Sequence, residues 1–133
     1  MEIAPAAHAA ALWTGLSLAL LLVLSVRVVR LRRKLRVALG HGEAPELERA
    51  IRAFGNASEY VPAAIGALAV LALVGAHPLL VHAAGVLLFA GRLAHALGLS
   101  RSGGASLPRA IGMMLTWLAY VLTAAMLIFF AVP

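Results

Sequence analysis

The chain has 133 residues, of which 63% are hydrophobic and 12% are charged, and its formal net charge is +6. A soluble domain carries roughly 25% charged residues, so this composition excludes a soluble enzyme and a disordered chain. Because the chain has no cysteine, a disulfide scaffold, a thiolate metal site and a cysteine nucleophile are excluded as well.

Three stretches of 24, 32 and 24 residues contain no Asp, Glu, Lys or Arg, and each exceeds the roughly 20 residues that cross a bilayer. Gly40-His41-Gly42 interrupts the helical pattern after the first stretch, and Gly75 with Pro78 divides the second into two helices. Pro45 and Pro108 suit the first positions of helices. We therefore expect a single all-α domain, residues 1–133, which forms an integral membrane four-helix up-down bundle with helices over about 6–36, 45–74, 79–98 and 108–132.

The basic residues predict the orientation of this bundle. Eight of the eleven Lys and Arg lie from Arg27 to Arg52, around the first loop, and the other three lie in or beside the third loop. By the positive-inside rule both loops are cytoplasmic, so both termini are expected on the opposite side. No aromatic residues are interleaved with these cations, so we expect contacts with lipid headgroups and no nucleic-acid binding.

The second helix carries polar residues into the membrane. Only 15 residues separate its last charge, Glu59, from Gly75, about 22 Å of helix against a hydrocarbon core of roughly 30 Å. Arg49, Arg52, Asn56 and Glu59 fall within an arc of about 80° on one helix face. Because a charge at the bilayer centre costs about 2.5–3.5 kcal/mol, this face is expected to contact protein or a ligand.

The other helices bring cations to the same depth, namely Arg27 and Arg30 on the first, Arg92 and His95 on the third, and Arg109 on the fourth. Together with Glu59 they predict a site, open to the cytoplasm, for an anion that also carries a positive group. The structural alternative is an interhelical salt-bridge network that serves packing. The remaining histidines have no metal-ligand spacing with carboxylates, so no metal site is expected.

The segment from Glu48 to Pro62 resembles the helix-two signature of the MAPEG family, Glu-Arg-x-x-Arg-Ala-x-x-Asn-x-x-Glu followed by Pro. These are the membrane-associated proteins of eicosanoid and glutathione metabolism. Residues 29–34 look like the basic end of the family's first helix, and residues 91–95 look like its helix-three motif. The resemblance covers nearly the whole chain and implies a homotrimer with glutathione bound between neighbouring protomers.

The resemblance also implies roles for individual residues. It assigns a catalytic role, stabilisation of the glutathione thiolate, to Arg109. It assigns binding of the tripeptide, or support of its site, to Arg30, Arg52, Asn56, Glu59, Arg92 and His95. The implied chemistry is transfer of glutathione to a lipophilic substrate that enters from the bilayer, or reduction of such a substrate by glutathione. The resemblance is to the short bacterial members of the family, which implies an inner-membrane protein.

The chain departs from the eicosanoid-producing members at three places. Phe54-Gly55 replaces a His-Arg pair, Leu99 replaces a tyrosine, and Ala110 stands where a serine is common. Prostaglandin or leukotriene synthesis is therefore not expected. A non-catalytic trimeric binding or scaffold protein with a degenerate glutathione site is the main alternative. A small proton-coupled exporter is less favoured, because the first helix lacks the acidic residue that such exporters place there.

Overall fold

The computed structural model describes residues 4–132, which form four long helices joined by short connections. Each helix is long and apolar enough to cross a membrane, and there is no strand within the described residues. The expected all-α four-helix membrane fold is therefore confirmed. The helices are α1 (Pro5–Leu35), α2 (Pro45–Leu73), α3 (Pro78–Arg101) and α4 (Leu107–Ala131).

Proline lies at the start of every helix. Pro5, Pro45 and Pro78 are first residues, and Pro108 is the second residue of α4. The first backbone N–H groups of a helix have no partner within it, so proline loses nothing there and its fixed φ favours the helical conformation. Pro45, Pro78 and Pro108 therefore mark where a helix begins after each chain reversal.

The packing of the helices is asymmetric. α2 and α3 each contact all three other helices, whereas α1 and α4 do not pack against each other in the part of the chain that the structure describes. Large apolar side chains cover the outside, including Leu22, Val23, Met114 and Val121. An apolar surface of this extent is the kind that lies against a membrane.

Glycines allow α3 and α4 to approach closely. A Cβ atom on Gly112 would lie 2.5 Å from the backbone N of His95 and 2.6 Å from the carbonyl O of Gly91. Close backbone contact at small residues is a common way for membrane helices to associate. The backbones of α3 and α4 are therefore closely fitted at this level.

α3 is longer than the sequence predicts. We expect it to end at about residue 98, but it continues to Arg101. A Cβ atom on Gly98 would lie 2.9 Å from the backbone N of Arg109 and 3.1 Å from the Cβ of Pro108. Gly98 thus serves the contact with the start of α4, and it does not end the helix.

Candidate functional site

Arg92 joins three helices inside the bundle. Its side chain is only 1% exposed, and its Nε donates to Thr116 Oγ1 at 2.8 Å. Its Nη1 donates to Asn56 Oδ1 at 2.6 Å, and its Nη2 donates to the carbonyl O of Gly112 at 3.3 Å. A guanidinium has five N–H donors, so the protein already uses most of those of Arg92. These partners are neutral oxygens, so Arg92 does not form the salt bridge with Glu59 that the structural alternative considered.

Two tyrosines extend this network. The Tyr60 ring centroid lies 4.8 Å from Arg92 Cζ, a distance at which the ring face stabilises a cation. The Tyr120 hydroxyl donates to the carbonyl O of Tyr60 at 2.7 Å, and the two rings meet edge to face. The sequence reasoning missed Tyr60 and Thr116 as members of the site. The only available signal for Thr116 was a hydroxyl within an otherwise apolar span.

A cationic cleft opens at the end of the bundle where α2 and α4 begin. We use this name for a cavity of about 230 Å³ lined by Pro45, Glu48, Arg49, Arg52, Leu99, Gly103 and Arg109. It therefore brings together two of the predicted site residues, Arg52 and Arg109. Three guanidinium groups face one carboxylate, so the cleft has the charge to attract an anion.

Arg109 also lines a second cavity. This cavity has a volume of about 250 Å³ and includes His95, Ser106 and Met113 in its wall. Arg109 Nη1 donates to the carbonyl O of Gly104 at 2.5 Å, which holds the side chain against the α3–α4 loop. His95 is buried, and it lines this second cavity together with Arg109.

Arg30 and Glu59 lie apart from the cationic cleft in a single chain. Arg30 is exposed on α1 and lines a different groove with Arg27 and Glu46. Glu59 is exposed on α2 and does not line the cationic cleft. Of the predicted residues, the chain therefore gathers Arg52 with Arg109, Asn56 with Arg92, and His95 with Arg109.

An apolar cavity lies deeper in the span. Its volume is about 120 Å³, and α2, α3 and α4 line it with mostly small side chains, among them Ala63, Ala67, Ala84, Ala119 and Ala124. Among residues 4–132, no group of three His, Cys, Asp or Glu is arranged to hold a metal ion.

Four spanning helices with a buried arginine network and a cationic cleft at one end define an integral membrane protein with a polar site at the membrane edge. The sequence pattern of the MAPEG family matches residues 10–129, which include most of all four helices. The chain belongs to the MAPEG family.

The chain is similar to two bacterial proteins. It is 44% identical over 112 residues to the inner membrane protein YecN of Escherichia coli (strain K12), and the match covers 84% of each chain. The protein of the same name from Escherichia coli O6:H1 (strain CFT073) matches to the same extent. An integral inner-membrane location fits both this similarity and the four apolar helices.

Proposed function

We propose that the protein binds glutathione at the cytoplasmic edge of the membrane and conjugates it to, or uses it to reduce, a lipophilic substrate. The observation that carries this proposal is the cationic cleft, which brings Arg52 and Arg109 together. Glutathione has two carboxylates and one ammonium group, and guanidinium groups bind carboxylates strongly through paired hydrogen bonds. Membership of the MAPEG family supports the same ligand.

Arg109 acts on the thiol in this proposal. A free thiol has a pKa of about 8.5, and a nearby guanidinium favours the thiolate. The thiol proton passes to solvent, and the thiolate then attacks an electrophilic carbon. A carbon–sulfur bond forms while the leaving group departs with its electron pair. With a hydroperoxide substrate, two glutathione molecules become the disulfide, and the products are an alcohol and water.

Neighbouring protomers of a homotrimer complete the site in this proposal. Arg30 and Glu59 are exposed and lie outside the cationic cleft of their own chain, so a second copy is the natural source of these contacts. The site opens to the cytoplasm and both termini lie on the other side, as the distribution of basic residues favours. The lipophilic substrate enters from the bilayer, and the apolar cavity below Tyr120 offers an apolar surface at that depth.

A non-catalytic glutathione-binding or scaffold protein is the second candidate. Leu99 lines the cationic cleft at the position where the resemblance expects a tyrosine, and a leucine side chain cannot donate a hydrogen bond to a ligand. Most donors of Arg92 are also used within the protein. Both observations reduce the number of contacts available to a reacting tripeptide.

Calorimetric titration of glutathione into the detergent-solubilised protein tests the proposal. We expect binding in the millimolar range or tighter, and turnover with a chlorinated dinitrobenzene as acceptor. Arg109→Ala should lower kcat/KM about 100-fold or more, as loss of a charge-stabilising donor does in other enzymes. Arg33→Gln, at an exposed cation on α1, is the matched control and should have no effect.

The results separate the two candidates. Absence of glutathione binding at millimolar concentration would refute both the enzyme and the glutathione-binding protein, and it would leave the scaffold protein. Binding without turnover, when the binding is lost in Glu59→Ala, would support the non-catalytic protein.

A further inference from the structure

Two side-chain hydrogen bonds join α1 to α3, one toward each end of the contact between these helices. At the end of the bundle that carries the cationic cleft, Arg27 donates to the hydroxyl of Ser100. At the opposite end, the indole Nε1 of Trp13 donates to Nδ1 of His82 at 3.1 Å. Trp13 precedes Arg27 by 14 residues, about 21 Å along the helix axis. The Trp13–His82 bond therefore takes no part in the site described above.

The indole ring of Trp13 lies directly on the backbone of α3. Gly85 makes this possible, because a Cβ atom at that position would collide with the indole ring. The ring of His82 meets the indole edge to face, with centroids 6.2 Å apart, and the ring of Phe89 lies at the same distance with a tilt of 44°. The hydrogen bond to His82 thus fixes the orientation of a contact that is otherwise apolar.

This hydrogen bond requires an uncharged histidine. The indole N–H is a donor only, so Nδ1 of His82 must be the ring nitrogen that carries no proton. In an imidazolium both ring nitrogens carry protons, and two N–H groups would then face each other. Histidine side chains ordinarily change charge between pH 5 and 8. The bond is therefore expected at the upper end of this range and is lost toward the lower end.

The surroundings of His82 offer nothing that would hold an imidazolium in place. His82 is half-buried and lies four residues after the start of α3, about 6 Å along the axis. The other histidines near this end are His8 on α1 and His77 directly before α3. The second halves of α2 and α4 carry only Tyr60 and Tyr120 as titratable groups. Within residues 4–132, no carboxylate at this end is therefore available to pair with a protonated His82.

We propose that the Trp13–His82 contact is a pH-sensitive connection between α1 and α3, which protonation of His82 opens. The bond between Arg27 and Ser100 and the packing of α1 against α2 keep α1 in the bundle when this contact opens. Protonation therefore moves the first part of α1 away from α3 without detaching the helix. The contact responds to the pH at the end of the bundle opposite the cationic cleft, and it does not depend on the proposed function.

Distances between spin labels on α1 and α3 test this proposal with the full chain in lipid vesicles. The chain has no cysteine, so Leu12→Cys and Leu79→Cys, at two exposed positions near this end, carry the only labels. The distance should lengthen reversibly when the pH falls from about 8 to about 5. His82→Asn, whose side-chain oxygen accepts the indole N–H at every pH, should keep the short distance throughout. His8→Gln is the matched control and should respond like the unaltered chain.

Tryptophan fluorescence gives a second measurement. In Trp117→Phe, Trp13 is the only tryptophan, and its emission should shift to longer wavelength over the same pH range as the distance. His82→Gln, which also offers an oxygen acceptor, replaces His82→Asn if that variant does not fold.

Three results would overturn the proposal. The first is a label distance that stays the same across the pH range. The second is a change of distance that persists in His82→Asn, because another group would then be responsible. The third is a change of emission without a change of distance, because His82 would then be protonated while α1 and α3 stay together.

Discussion

Substitution of Gly112 by alanine should force α3 and α4 apart. The added Cβ would lie 2.5 Å from the backbone N of His95 and 2.6 Å from the carbonyl O of Gly91, where ordinary contacts begin at 3.4 Å. The backbone must therefore give way by about 0.9 Å, because no flexible side-chain end is available to move. Overpacking of a fitted interior costs about 1–3 kcal/mol. The shift would also move the carbonyl O of Gly112 away from Arg92.

Gly66→Ala is the matched control for this prediction. Both glycines lie inside helices, but a Cβ on Gly66 would meet nothing within 4 Å. Replacement of a helical glycine by alanine stabilises by about 0.5–1 kcal/mol through the backbone alone, and this gain is common to both variants. The difference between their unfolding free energies therefore isolates the steric cost.

Unfolding in mixed detergent micelles, followed by circular dichroism, measures this difference. Gly112→Ala should be less stable than Gly66→Ala by about 1–3 kcal/mol. Equal stability of the two variants would refute the close fit of α3 against α4, and with it the geometry that holds Arg92.

Two further substitutions test the network around Arg92. Arg92→Lys should lower the unfolding free energy by about 2 kcal/mol or more, because an ammonium cannot reach Thr116 and Asn56 with the geometry of a guanidinium. Thermal unfolding should show the loss, and a lysine variant as stable as the unaltered protein would contradict the network. Tyr120→Phe removes the hydrogen bond to the Tyr60 carbonyl and should cost about 0.6 kcal/mol, the average for hydrogen bonds between membrane helices. A decrease in unfolding free energy above about 2 kcal/mol in the same assay would contradict this, because one hydrogen bond between membrane helices contributes less.

The helices could be predicted because membrane insertion imposes strong local rules. A backbone in hydrocarbon must satisfy its own hydrogen bonds, so long uncharged stretches leave little choice but helix. Proline then fixes where each helix begins. The end of α3 could not be predicted as well. A glycine such as Gly98 can either end a helix or allow a close helix contact, and only the position of α4 shows which of these roles it has.

The candidate site could be predicted only in part. Helical spacing placed Arg52 and Asn56 on one face of α2. The spacing could not show that Asn56 accepts a hydrogen bond from Arg92 while Arg52 lines the cationic cleft. That difference depends on how α2, α3 and α4 are rotated against one another, which is a tertiary property. The role of Thr116 could not be predicted for the same reason, since a single hydroxyl in an apolar span does not indicate which residue it contacts.

Glu59 connects the stability of the protein with its proposed function. It is exposed in a single chain, and a carboxylate that faces hydrocarbon is unfavourable by up to about 2.5–3.5 kcal/mol. Arg30 is exposed as well. Because α1 and α4 do not pack together within residues 4–132, Arg30 can line the same site as Arg109 only if a second copy brings its α1 against α4. One assembly, the homotrimer that we propose, would therefore cover Glu59 and complete the glutathione site in the same step. A detergent that separates the subunits should then abolish glutathione binding even while the four helices of each chain remain folded.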